Sequence, residues 1–118
     1  MAKQLVADFY ECGDFALNDI SYLKNVARKI VERIDSIIVN ESYHQFQPVG
    51  ITYMAIIAKS HIAIHTWPEK KTIALDLFSC EDDLPSSFLD EIKSDLGASD
   101  YHFKMIERVL TKQATNHV

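Results

Sequence analysis

The chain has 118 residues, 47% of them hydrophobic and 25% charged, which suits a single domain with a buried core. Its formal net charge of −5, with no basic run, argues against a nucleic acid or an anionic membrane surface as partner. No apolar run is long enough to span a bilayer, and the opening Met1-Ala2-Lys3-Gln4-Leu5 lacks a signal peptide's apolar stretch, so a soluble cytoplasmic protein is expected.

Residues 4–11 alternate with β-type side chains and predict a strand, broken at Gly13. From Leu17 the apolar positions Leu17, Ile20, Leu23, Val26, Ala27, Ile30 and Ile34 step by threes and fours, the stripe of an amphipathic helix. Lys24, Arg28, Lys29 and Glu32 take its wet side. Asn18 or Asp19 is the expected N-cap, with Asp14 as the other choice. Residues 36–46 are β-rich, and Gln47-Pro48-Val49-Gly50 supplies a turn. Strands are then expected over 51–58, 61–66 and 72–79, the last two joined by a short loop over 67–71. Pro85 suits the first turn of a second helix over 86–96, which Gly97 ends, and 101–109 predicts a final strand. The polar stretch 111–118 is expected to fray. The order β-α-β-β-β-β-α-β predicts an α+β domain, with helices on one face of a mostly antiparallel sheet.

Strand parity says more. Ile73, Leu75 and Leu77 share one face, opposite Thr72, Ala74, Asp76, Phe78 and Cys80. Likewise Ile62 and Ile64 oppose His61, Ala63, His65 and Trp67. The second face mixes apolar and reactive groups, and two helices cannot cover both sides of the sheet. A homodimer pairing through that face is expected.

Ser60, His65 and Cys80 place a hydroxyl, an imidazole and a thiol in the most strand-like part of the chain. His61 and His65 lie roughly 13 Å apart along a strand, too far to share one zinc ion with nitrogen ligands at about 2.0–2.1 Å. Cys12 and Cys80 form no close-spaced pair, so no metal site is expected. Ser60 lacks the Gly-x-Ser-x-Gly elbow of a serine hydrolase, and a Cys80 nucleophile with His65 as base has no family context behind it. On residues alone, a polar cluster in a small α+β domain is all that follows. Ser60 starting a strand, His65 as a hydrogen-bonded core histidine and Cys80 as filler stay open.

Four spaced motifs go further: Leu5-Val6-Ala7-Asp8-Phe9-Tyr10-Glu11-Cys12; Tyr43-His44-Gln45-Phe46-Gln47-Pro48-Val49-Gly50; Ser60-His61 followed by His65-Thr66-Trp67-Pro68-Glu69; and Asp76-Leu77-Phe78-Ser79-Cys80. In this order, over roughly residues 3 to 110, they resemble the bacterial and archaeal S-adenosylmethionine decarboxylase proenzymes. The sequence departs from that pattern at Lys59, usually glutamate; at Thr52, where a serine assists processing; at Gln45, commonly arginine; and at Val49, commonly tyrosine.

The resemblance implies a two-layer sandwich that pairs into a dimer, and a self-made cofactor. Ser60 would attack the Lys59 carbonyl, with Thr52 stabilising the oxyanion and His65 removing the Ser60 Cα proton. The products would be a β chain of residues 1–59 and an α chain of 60–118 headed by a pyruvoyl group derived from Ser60. That group forms a Schiff base with S-adenosylmethionine as carbon dioxide leaves, and Cys80 returns the proton. Phe46, Trp67 and Glu69 are the implied substrate contacts, and the product feeds spermidine synthesis. Gln45, Val49 and Lys59 also fit a relative that decarboxylates arginine or ornithine, and Lys59 with Thr52 fits an unprocessed regulatory paralogue.

Overall fold

The computed structural model describes residues 2–79, 84 and 87–112. Its elements run β1 (Ala2–Tyr10), α1 (Asp14–Leu17), α2 (Ile20–Arg33), β2 (Ile38–Gln45), β3 (Ile51–Ile57), β4 (Ser60–Trp67), a 3-10 turn (Pro68–Lys70), β5 (Thr72–Ser79), α3 (Phe88–Leu96) and β6 (Asp100–Arg108). The six strands form one sheet in the order β2-β3-β4-β5-β1-β6. Every neighbouring pair is antiparallel. The expected α+β architecture is therefore present, with one addition: the 13–19 region holds a short helix, α1, ahead of the predicted one. Asp19 is the N-cap of α2, its carboxylate accepting from the Tyr22 N–H at 3.1 Å. Asp14 instead opens α1. Pro85 and Ser86, expected at the second helix's first turn, lie outside the described residues.

The helices lie on one face because the apolar periods of both layers meet there. Leu23, Val26, Ala27, Ile30 and Val31 of α2, with Phe88, Ile92 and Leu96 of α3, are buried. They share one core cluster with Leu5 and Phe9 of β1, Tyr53 of β3, Ile62 and Ile64 of β4, and Ile73, Leu75 and Leu77 of β5. Burial of such aliphatic and aromatic side chains stabilises by roughly 1.5–3 kcal/mol each. Two ion pairs join α2 to α3: Lys29 to Asp95 at 2.9 Å, and a two-pronged contact from Arg33 to Glu91 at 2.8 and 2.7 Å. Gly97 closes α3 with φ +65°, and a Cβ there would meet the Phe15 ring at 2.8 Å.

Among the described residues, no helix lies over the opposite face. Met54, Ile56, Trp67 and Ile106 point out from it and are exposed, while Ala63 near its centre is buried. This is the face on which strand parity places His61 and His65.

Candidate active site

Chemistry-bearing residues gather at two ends of the β3–β4 hairpin. At the open end, the chain leaves β2 at Gln45 and turns through 46–50 before entering β3. The Phe46 N–H donates to the Gly50 carbonyl at 2.8 Å, closing the turn, and the Gln47–Pro48 peptide is cis. Gly50 has φ +109°, a conformation that side chains disfavour, and a Cβ there would lie 3.4 Å from the Thr66 carbonyl oxygen. Asn18, between α1 and α2, fastens this turn: its Oδ1 accepts from the Gly50 N–H at 3.0 Å, and its carbonyl accepts from Gln45 Nε2 at 3.1 Å. The Thr66 hydroxyl, itself buried, accepts from the Ile51 N–H at 2.9 Å.

Below the turn, Thr52 and His65 are direct cross-strand partners. Thr52 Oγ1 lies 3.2 Å from His65 Nδ1, so the hydroxyl fixes how the imidazole is turned. The His65 ring stacks on Trp67 with centroids 6.0 Å apart, and Phe46 meets His44 edge-on at 4.5 Å. Phe46, Thr52, His65, Trp67 and Glu69 line one cavity of about 320 Å³. Phe46 and Trp67 leave 47% and 40% of their surface exposed, so flat aromatic area is available to a planar ligand.

At the closed end, Ile57 pairs with Ser60 across the tight turn Ala58–Lys59, and Lys59 has φ +61°. The Ala58 N–H donates to the Ile37 carbonyl at 3.1 Å, tying the turn to the segment between α2 and β2. Ser60 shares a second, smaller cavity of about 110 Å³ with Asp35, Ser36, Lys59 and Ser79.

Ser60 and His65 are five residues apart on β4, roughly 16 Å along the strand, and an odd separation puts them on opposite faces. Within one chain, neither His65 nor its partner Thr52 meets Ser60. The expectation that they act on Ser60 therefore does not hold inside a single subunit, because a flat strand cannot fold back on itself. Cys80 lies outside the described residues. Cys12 is buried, its thiol donating to the Phe9 carbonyl at 3.4 Å, and burial pushes that thiol up to about 11 despite a lowering backbone hydrogen bond from Ile73. It serves as core, not as a nucleophile.

The sequence description of the S-adenosylmethionine decarboxylase family matches residues 3–109. The chain belongs to that family. Proteins named S-adenosylmethionine decarboxylase proenzyme are similar to it. One from Acidithiobacillus ferrooxidans is 37% identical over 99 residues, covering 83% of this chain and 74% of the relative. One from Prochlorococcus marinus is 32% identical over 109 residues, covering 92% and 87%. The crystal structure of the adenosylmethionine decarboxylase from Aquifex aeolicus VF5 superposes with a TM-score of 0.81 at 26% identity, covering 99% of this chain and 98% of that one. Within this decarboxylase-family chain, sequence reasoning had missed Asn18, which has the signature of an ordinary cap, and Ser36, which belongs to none of the four motifs. Thr66 lies inside a motif, but nothing in the sequence marked its hydroxyl as the acceptor for Ile51.

Proposed function

We propose that this chain is the self-processing precursor of a pyruvoyl-dependent S-adenosylmethionine decarboxylase, a cytoplasmic enzyme whose product is the aminopropyl donor for spermidine. What carries this is the hairpin tip, which holds the Lys59 carbonyl and the Ser60 hydroxyl beside a polar cavity. The Ser60 hydroxyl adds to the Lys59 carbonyl carbon, the C–N bond breaks, and the Ser60 nitrogen takes up the hydroxyl proton, leaving an ester. Loss of the Ser60 Cα proton expels the Lys59 carboxylate, and tautomerisation with hydrolysis releases ammonia and leaves a ketone at residue 60. The Lys59 side chain takes no part in these bonds, so lysine in place of glutamate is compatible with them.

The uncovered sheet face supports a homodimer. A two-fold axis across the strands near Ala63 lays the 65–67 end of one copy over the 59–61 end of the other, sheets packing about 10 Å apart. His65 of a second copy, held by its own Thr52, then faces the Lys59–Ser60 backbone from the side opposite the Ser60 hydroxyl, where it takes the Cα proton, which a His65 of the same chain is too distant to do. The pyruvoyl group supplies an electron sink for an amine substrate that loses carbon dioxide. Phe46 and Trp67 offer aromatic faces for the adenine, Glu69 accepts from ribose hydroxyls, and Cys80 returns a proton to the decarboxylated carbon.

Intact-mass measurement of fresh protein should show fragments split between Lys59 and Ser60, and matured protein should release labelled carbon dioxide from S-adenosylmethionine but not from arginine or ornithine. Co-expressing Ser60→Ala with His65→Ala chains tests the shared site: the His65→Ala chain should be cleaved only in the mixture. A wild-type chain that stays whole, or matured protein inactive on S-adenosylmethionine, overturns the proposal.

A further inference from the structure

Ser36 sits where α2 hands over to β2, and it is held from both sides. Its N–H donates to the Val31 carbonyl at 3.0 Å, and the next residue, Ile37, accepts from the Ala58 N–H at 3.1 Å. The backbone is thus fixed against the last turn of α2 and against the hairpin tip. The Ser36 hydroxyl, however, is closed off from solvent and has no hydrogen-bond partner among the described residues. A buried hydroxyl left in that condition destabilises a fold, and alanine would remove the defect without altering the backbone. The cavity it lines is shared with Lys59 and Ser60, the two residues whose peptide bond is to break. The Thr52 hydroxyl is engaged with His65 at the other end of the hairpin, and it comes near this peptide only from a second copy.

We propose that Ser36 is a catalytic donor for self-processing: its hydroxyl hydrogen-bonds the Lys59 carbonyl oxygen as that oxygen acquires negative charge. This rests on the self-processing reading above. When Ser60 Oγ bonds to the Lys59 carbonyl carbon, the carbonyl π pair moves onto oxygen. When the C–N bond then breaks, its electron pair goes to nitrogen with the Ser60 hydroxyl proton, and the carbonyl re-forms as an ester. The step is an isomerisation and needs no other reactant. A pre-placed donor with no competing partner stabilises the charged stage without first surrendering another hydrogen bond. The exposed carbonyl of an ordinary hairpin has only water for this purpose.

The test follows scission of freshly purified wild-type, Ser36→Ala and Ser36→Thr chains by intact mass, with and without hydroxylamine. Removing one oxyanion donor costs about 10²–10³-fold in rate, so Ser36→Ala should mature that much more slowly while Ser36→Thr, which keeps the hydroxyl, stays nearer wild type. Hydroxylamine cleaves the ester only after it forms, so it should fail to restore the Ser36→Ala rate. In a Ser60→Ala background, adding Ser36→Ala should leave the urea midpoint equal or higher, which separates a donor from a structural prop. Maturation of Ser36→Ala at the wild-type rate overturns the inference, as does full rescue by hydroxylamine, which would place Ser36 after the ester. A lowered urea midpoint assigns the defect to folding and overturns it as well. Wild-type protein that never cleaves removes the self-processing reading and this inference with it, whereas cleaving wild type beside equally fast Ser36→Ala removes this inference alone.

Discussion

Replacing Asn18 with alanine should detach the turn that carries Phe46 without touching the core. The side-chain carbonyl of Asn18 accepts from the Gly50 N–H at 3.0 Å, and Gly50 itself is buried. A buried donor left unmade costs about 1–3 kcal/mol. The neighbouring contact from Gln45 goes to the Asn18 backbone carbonyl and is exposed, so it survives Asn18→Ala, and Gln45→Ala should cost less than about 1 kcal/mol. Urea unfolding in a Ser60→Ala background compares uncleaved chains throughout. With a denaturant slope of about 1–3 kcal/mol per molar, the Asn18→Ala midpoint should fall by roughly 1 M. Asn18→Asp keeps the acceptor and should recover most of the loss. In the self-processing background, Asn18→Ala should raise KM through the displaced Phe46. An unchanged midpoint for Asn18→Ala, or a Gln45→Ala penalty of equal size, would refute this account of the turn.

Phe46→Ala should raise KM for S-adenosylmethionine several-fold with kcat largely kept, since a stacking surface binds ground state and transition state alike; steady-state kinetics on matured protein reads this directly. Leu77→Ala, at a fully buried position in the shared core, should cost about 2–5 kcal/mol, measured by urea unfolding of the Ser60→Ala chain. Cys12 predicts an alkaline signature. Its folded thiol, raised by burial to about 11, stays protonated where the unfolded thiol ionises near about 9, so the unfolded state holds fewer protons between those values. Stability should therefore fall as pH climbs from about 9 to about 11, by roughly 2–3 kcal/mol, and level off above. Comparing urea midpoints with those of Cys12→Ala isolates the thiol, and parallel curves for the two proteins would refute it.

Much of the fold could be read from period alone. The gaps of three and four from Ile20 to Ile30 leave one helical face for burial, and the alternation from Ile73 to Leu77 leaves one strand face. Both signals arise from burial, which acts on every residue of an element. The small helix α1 was hidden because four residues give no period, and its first turn follows Gly13, which offers no side-chain cap. Residues of the candidate site were legible in identity but not in arrangement. Phe46, Trp67 and Glu69 do surround one cavity, since the turn at 46–50 and the end of β4 are neighbours through β3. The distance between Ser60 and His65 was implicit in the strand assignment itself, yet their closeness in sequence concealed it. Ser36 could not be found from sequence, because what distinguishes it is an absent partner in three dimensions.

The strand order has a consequence for what a cut between Lys59 and Ser60 does to the molecule. Segment 1–59 contributes β1, β2 and β3, and segment 60–118 contributes β4, β5 and β6, but in the sheet the two sets interleave. Three of the five seams, β3 with β4, β5 with β1 and β1 with β6, then join different polypeptides. The halves are woven together, so the nicked protein does not fall apart while it remains folded. Its history is nonetheless written into it. An intact chain finds its own β1 by closing a loop, whereas the cut form, once unfolded, must recover its missing strands from another molecule by diffusion, and at a rate set by concentration. Scission at this hairpin would turn a protein that can refold alone into one that is assembled once.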